Sequence, residues 1–173
     1  MDLYFISKFE ESSILNPRLQ RRIVENIEKD EERQPRGVGG RKTCWNFHTK
    51  GVKEVEIILS WIRDITPEAS KTFTNPEGYV YYDPLSFRLV ECWGLDYEEG
   101  EEMRVHNHFP YTLSFVYCVN SPEGSSPLII EMKEVFLNEG ECVFFPSYLF
   151  HHVKRTPKGG RCVLVGNILY VHK

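Results

Sequence analysis

The chain has 173 residues, of which 41% are hydrophobic and 27% charged, with a formal net charge of -4. That length suits one compact domain able to bury a core without disulfides or a structural metal. The acidic balance gives no general electrostatic reason to bind nucleic acid or an anionic membrane.

Five cysteines (Cys44, Cys92, Cys118, Cys142 and Cys162) form no C-x-x-C pair, and most lie among apolar residues. This pattern suits reduced core thiols in a reducing cytoplasm. The opening "MDLYFISKFEESS" places charges after a very short apolar stretch. It makes neither a signal peptide nor a spanning helix, so a soluble, unprocessed protein is expected.

The first element is a helix through "NPRLQRRIVENIEKDEE", with Asn16 as N-cap, Pro17 at the first helical position and an apolar stripe of Leu19, Ile23 and Ile27. "RQPRGVGGRKTCW" (33–45) has no period and reads as a loop, either lying over a site or simply connecting. A second helix runs through "VKEVEIILSWIRD", with Val55, Ile58, Trp61 and Ile62 on its apolar stripe, and "TPEASKTF" adds a short third one. From Asp83 the character changes to short runs rich in Val, Ile, Phe, Tyr and Cys: 86–97, 103–109, 111–120, 127–132, 134–137, 140–146, 148–155 and 161–171. The fold expected is mainly β, an α+β jelly roll. Residues 1–82 form a helical layer and loop packed on one side, 83–173 the core carrying the site, and 1–173 a single domain.

The run "GEEMRVHNHF" places His106 and His108 two residues apart. On a strand such side chains share a face, with Cα atoms roughly 6.5 Å apart, so both imidazoles can converge on one metal. A solvated strand face shows the same spacing by chance. The stretch "GECVFFPSYLFHHVKRTPKGGRCVLVGN" brings a third histidine from another strand, and open metal sites commonly use three protein ligands. His151 is preferred to His152 by its position relative to the "FPS" turn, leaving His152 on the opposite face. Arg161 begins an apolar strand after the turn "TPKGG". Facing inward it requires an anionic partner; at a strand end it could instead reach solvent.

Together, "YEEGEEMRVHNH", "LSFVYCVN", "FFPSYLFHHV" and "GGRCVLVGN" resemble the iron(II)- and 2-oxoglutarate-dependent oxygenases. The similarity is to the prolyl-hydroxylase-like branch common in phages and marine bacteria, and it covers residues 93–167. It implies a double-stranded β-helix in which Tyr97 and Gly100 form the lead-in, His106 and His108 are the paired metal ligands, and His151 is the distal one. Arg161 falls where that family pairs an arginine with the far carboxylate of 2-oxoglutarate. The resemblance implies Fe(II), 2-oxoglutarate and O2, with ascorbate as an accessory reductant. It also implies hydroxylation of a C–H bond with release of succinate and CO2. A phage-encoded chain would work in its host's cytoplasm.

Two positions depart from the family pattern. His108 replaces the usual carboxylate, leaving no protein negative charge among the ligands. Cys118 stands where related hydroxylases carry a tyrosine that bonds 2-oxoglutarate; strand alternation puts Ser114 on the same face, able to supply that bond. Asn167 shares the parity of Arg161 but lies farther along, as a structural or rim residue. A cupin would also explain G-x5-H-x-H, although no glutamate follows His108 at the cupin distance and Arg161 would go unexplained. A non-catalytic jelly-roll module is the third reading, fed by the missing carboxylate and Cys118. For the substrate, Trp45, His48, Trp93, Phe109 and Tyr111 are cleft or core candidates, and a protein or peptide residue is suggested by analogy alone.

Overall fold

The computed structural model describes residues 2–30, 39–73 and 86–171. In chain order its elements are β1 (Phe5–Lys8), α1 (Ser12–Asp30), β2 (Arg41–Lys42), a 3-10 turn (Phe47–Thr49), α2 (Lys53–Lys71), β3 (Phe87–Tyr97), β4 (Met103–His106), β5 (Leu113–Asn120), β6 (Leu128–Ile130), β7 (Lys133–Val135), β8 (Glu141–Pro146), β9 (His151–Val153) and β10 (Arg161–Tyr170). All eight strands expected after residue 85 are present, mostly shortened at their ends.

They form two antiparallel sheets, a larger one in the order β1-β8-β5-β10-β3-β2 and a smaller one in the order β4-β9-β6-β7. Alternation along the strands builds two cores. Phe115, Tyr117, Cys142, Phe144, Cys162 and Leu164 belong to the core that includes the helices. Trp93, Leu95, Val116, Phe145, Val153 and Val163 belong to the core between the sheets. This is the expected mainly-β architecture, buttressed by helices on one side.

Helix α1 buries Leu15, Leu19, Ile23 and Ile27, a four-residue repeat that keeps one face on the sheet. Each such side chain stabilises the packed state by roughly 1.5–3 kcal/mol. The helix comes close to β3 because Gly94 has no side chain: a Cβ there would stand 2.7 Å from Ile23. The expected N-cap is corrected. The helix begins at Ser12, and Asn16 lies inside it, where Asn16 Nδ2 donates to the Val119 carbonyl (2.8 Å) and Asn16 Oδ1 accepts from the Tyr117 hydroxyl (2.7 Å). A buried Asn bonded twice to β5 ties helix to sheet.

Three further expectations change. The short third helix is the end of α2, which continues through Pro67 to Lys71. Residues 1–82 are more than a helical layer, because β1 pairs with β8 and β2 with β3 in the larger sheet. Of the loop expected at 33–45, residues 33–38 lie outside the described residues, and Arg41–Lys42 is a strand.

Candidate metal centre

His106 closes β4 opposite His151, the first residue of β9, so pairing within the smaller sheet juxtaposes two imidazoles. His108 stands beyond the end of β4 rather than on it, contrary to the expected strand 103–109. It is positioned instead by its backbone N–H, which donates to the Ser147 carbonyl at 2.8 Å. Ser147 sits in the β8–β9 turn, whose "FPS" break fixes where β9 begins. The three rings are mutually close, with centroids 5.0 Å apart for His106 and His108, 4.3 Å for His106 and His151, and 4.9 Å for His108 and His151. One nitrogen from each lies within 4.8 Å of the others. His152 is not among them.

The ring nitrogens are sorted for ligation. His106 Nδ1 lies 2.7 Å from the Arg104 carbonyl and His151 Nδ1 lies 3.2 Å from the Leu149 carbonyl. A carbonyl only accepts, so each Nδ1 carries the proton and each Nε2 keeps its lone pair. Backbone carbonyls behind metal-binding imidazoles act in this way to fix tautomer and ring orientation. His108 Nε2 is buried and has no partner among the described residues. Burial, with the repulsion of His106 added, pushes the pKa of His108 down to about 4. Burial, followed by His106, pushes that of His151 down to about 3, partly opposed by the Leu149 carbonyl. Both rings are therefore neutral at pH 7, the state a metal requires.

A cavity of about 30 Å³ opens from the histidines into the space between the sheets, lined also by Trp93, Val165, Tyr97 and Arg161. Among the described residues no carboxylate lines it. Arg161 is buried, with 4% of its surface exposed, and its Nη1 has no hydrogen-bond partner among the described residues. Its register partner across β3 is Tyr97, whose ring centroid lies 5.0 Å from the guanidinium carbon. Burial raises the Tyr97 pKa, and the charge and hydrogen bond of Arg161 oppose the rise. The nearby Cys118 thiol is also pushed up to about 12, chiefly by burial, so it supplies no negative charge at pH 7. A desolvated guanidinium with an idle donor and no anion is a place for a carboxylate to come from outside.

The expected role of Ser114 is corrected. Its parity is right, but its hydroxyl lies 2.8 Å from Ser147 Oγ and donates to Asn167 Oδ1 at 2.8 Å, and it does not line the cavity. Asn167 in turn donates to Glu91 Oε2 at 3.0 Å, a structural role as expected. Sequence reasoning missed Ser147, whose carbonyl holds His108 and whose hydroxyl engages Ser114. Of the aromatic candidates, Trp93 lines the cavity edge-on to His108 at 5.7 Å. Trp45 stacks edge-on behind it at 4.4 Å, Phe109 is 76% exposed, and Tyr111 hydrogen-bonds Glu91. His48 lines a different cavity, against α2.

No protein-family model and no curated protein matches the sequence. Solved structures do. A collagen prolyl hydroxylase of Paramecium bursaria Chlorella virus-1, solved with 2-oxoglutarate, superposes with a TM-score of 0.71 at 13% identity, over 98% of this chain and 97% of that one. A prolyl-4-hydroxylase of Pseudomonas putida gives 0.68 at 16% identity, over 97% and 92%. EctD of S. alaskensis with bound Fe gives 0.65 at 12%, over 98% and 73%. The chain therefore has the double-stranded β-helix fold of these proteins. Among the described residues no helix is long and apolar enough to cross a membrane.

Proposed function

We propose that this protein is a non-haem iron(II)- and 2-oxoglutarate-dependent dioxygenase that hydroxylates a C–H bond of its substrate. The observation that carries the reading is one cavity holding both halves of the required chemistry. Its lining holds three imidazoles with converging nitrogens and a buried arginine with a free donor. His106, His108 and His151 would hold iron(II), for which imidazole is a fitting ligand. Iron(II) with 2-oxoglutarate supplies oxidation by O2, giving succinate, CO2 and the hydroxylated product. The chain binds and orients: Arg161 takes the far carboxylate, the Tyr97 hydroxyl buttresses Arg161, and Trp93, Leu95, Val116 and Val163 keep water from the space between.

The cupin alternative loses its reason. Nothing in that reading calls for Arg161, which is buried here with a donor unused. The likeness to two prolyl hydroxylases supports a hydroxylation outcome and extends to a protein or peptide residue as substrate.

The test is anaerobic titration of the iron(II)-loaded protein with 2-oxoglutarate, following the visible charge-transfer band of a bidentate keto-acid chelate. A saturable band is expected, followed by succinate formation once O2 and a peptide library are added. Iron binding without a band would reject the 2-oxoglutarate reading, and no iron binding would reject the metal centre.

A further inference from the structure

Arg161 borders two cavities. Besides the one shared with the histidines, it lines a smaller pocket with Cys118, Ser121, Ser125, Ser126 and Leu137. The pocket is formed where β5 and the following segment meet the end of β7. Its polar groups differ in how they are used. The Ser121 hydroxyl contacts the Cys118 thiol, Cys118 Sγ lies 3.6 Å from the Leu137 carbonyl, and Ser126 Oγ donates to the Arg155 carbonyl at 3.2 Å. Ser125 Oγ is buried and has no partner among the described residues. The other buried side-chain atom of this pocket without one is Arg161 Nη1.

A buried hydroxyl and a buried guanidinium N–H left unpaired each carry a desolvation cost that a shared acceptor would remove. An anionic acceptor suits the charge of Arg161, because among the described residues neither cavity lining holds a carboxylate and the Cys118 thiol, raised by burial, stays protonated at pH 7. Two acceptor oxygens, each with two lone pairs, can serve both donors at once.

The geometry points to Ser125 as a cosubstrate-binding residue: the far carboxylate of a dicarboxylic keto acid sits at the junction of the two cavities, bonded by Arg161 Nη1 and Ser125 Oγ. This rests on the proposed dioxygenase reading and deepens it. Ser125 takes the place vacated twice, by Cys118 where a tyrosine was looked for and by Ser114, whose hydroxyl is spent on Ser147 and Asn167. It makes the serine a determinant of keto-acid choice, selecting a far carboxylate rather than strengthening attachment of the keto end.

The experiment compares dissociation constants of 2-oxoglutarate and 2-oxobutyrate, which shares the keto-acid head and lacks the far carboxylate, on the iron(II)-loaded protein under anaerobic conditions. Ser125→Ala should weaken 2-oxoglutarate by about tenfold or more, the range for a hydrogen bond to a charged group, and leave 2-oxobutyrate unchanged. Ser125→Thr should restore most of the difference, and Ser126→Ala, whose hydroxyl is already engaged, should match the wild type. Iron affinity should be equal in all four proteins. An unchanged ratio of the two keto acids in Ser125→Ala, or equal weakening of both, overturns the assignment while leaving the dioxygenase reading intact. Failure of the wild type to bind 2-oxoglutarate overturns both.

Discussion

Arg161 and Tyr97 are register partners on β10 and β3, and the guanidinium carbon lies 5.0 Å from the centre of the tyrosine ring. The aromatic face holds the cation while Nη1 stays unbonded, so the arginine is pre-oriented before any ligand arrives. Arg161→Ala should therefore keep iron and lose 2-oxoglutarate affinity on the order of 10- to 100-fold, as for lost hydrogen bonds to a charged group. Arg161→Lys should fall between, since an ammonium lacks the planar fork. Equal 2-oxoglutarate dissociation constants in Arg161→Ala and wild type would remove the arginine from the cosubstrate site.

Removal of either strand-borne histidine should empty the metal site without unfolding the protein. His106 and His151 lie opposite one another at the start of the cavity, and their Nδ1 atoms are already spent on carbonyls. His106→Ala or His151→Ala leaves two imidazoles, short of the usual three ligands. Iron content after anaerobic loading and desalting should drop to near background, with an unchanged circular dichroism spectrum. Full occupancy in either variant would take that histidine out of the metal centre.

Much of this arrangement is legible in the chain because the β core is built from local patterns. The runs from Phe87 to Tyr170 alternate or stay apolar, and pairing of β4 with β9 sets His106 opposite His151, whereas His108 lies past the end of β4 and takes its place through the Ser147 carbonyl. Where the sequence misleads, a distant partner decides. Asn16-Pro17 has the signature of a helix start, yet the amide bonds Val119 and Tyr117 more than a hundred residues away. Ser114 faces inward as alternation requires, but Ser147 and Asn167 engage its hydroxyl, and neither is near it in sequence. Phe5–Lys8 is too short to show a period and becomes a strand by pairing with β8. Ser125 lies in "NSPEGSSPL", a turn-rich stretch with no period, where only the cavity singles it out.

The contact of α1 with β3 predicts a stability effect far from the metal. Gly94 N–H donates to Thr43 Oγ1 and its carbonyl accepts from Thr43 N–H, both at 3.0 Å, so the backbone there cannot yield. An added methyl would meet Ile23 at 2.7 Å. Gly94→Ala should cost about 1–3 kcal/mol in urea unfolding, the usual range for overpacking. Ile23→Ala in the same chain should recover part of that loss, a non-additivity expected only of touching residues. Strict additivity would mean that the two do not share this contact.

Acid should destabilise the metal-free protein through the same histidines. In the unfolded chain they take up protons below about pH 6.5, whereas in the fold His108 and His151 resist until about 4 and about 3. The unfolded state therefore binds more protons in this window. The stability these groups contribute is complete above pH 6.5 and is lost as the pH falls towards 4 and 3. Near pH 5 the pair should account for about two protons taken up on unfolding. Replacing His151 by Gln should remove about half of that pH dependence, measured as the slope of unfolding free energy against pH. An identical slope in the variant would show that His151 is not held neutral by the fold.

Metal and cosubstrate binding should be coupled more strongly here than in a variant with a carboxylate ligand. Among the described residues the three histidines are the whole cluster and no acidic side chain lines the cavity, while Arg161 adds a positive charge. A dication placed there meets no protein anion, so the 2-oxoglutarate dianion supplies the balancing charge, and by linkage each ligand must raise the other's affinity by the same factor. Saturating 2-oxoglutarate should tighten iron(II) binding at least about tenfold in the wild type, within the usual range of coupling between sites. His108→Asp places one negative charge beside the metal. It should bind iron(II) more tightly alone, remain active, and show a smaller enhancement by 2-oxoglutarate. Chelator competition under anaerobic conditions, with and without the keto acid, measures all four constants of the cycle. Equal enhancement in both proteins would mean that the missing carboxylate has no part in the coupling, and loss of metal in His108→Asp would mean that the pocket behind Trp93 and Ser147 accepts only an imidazole.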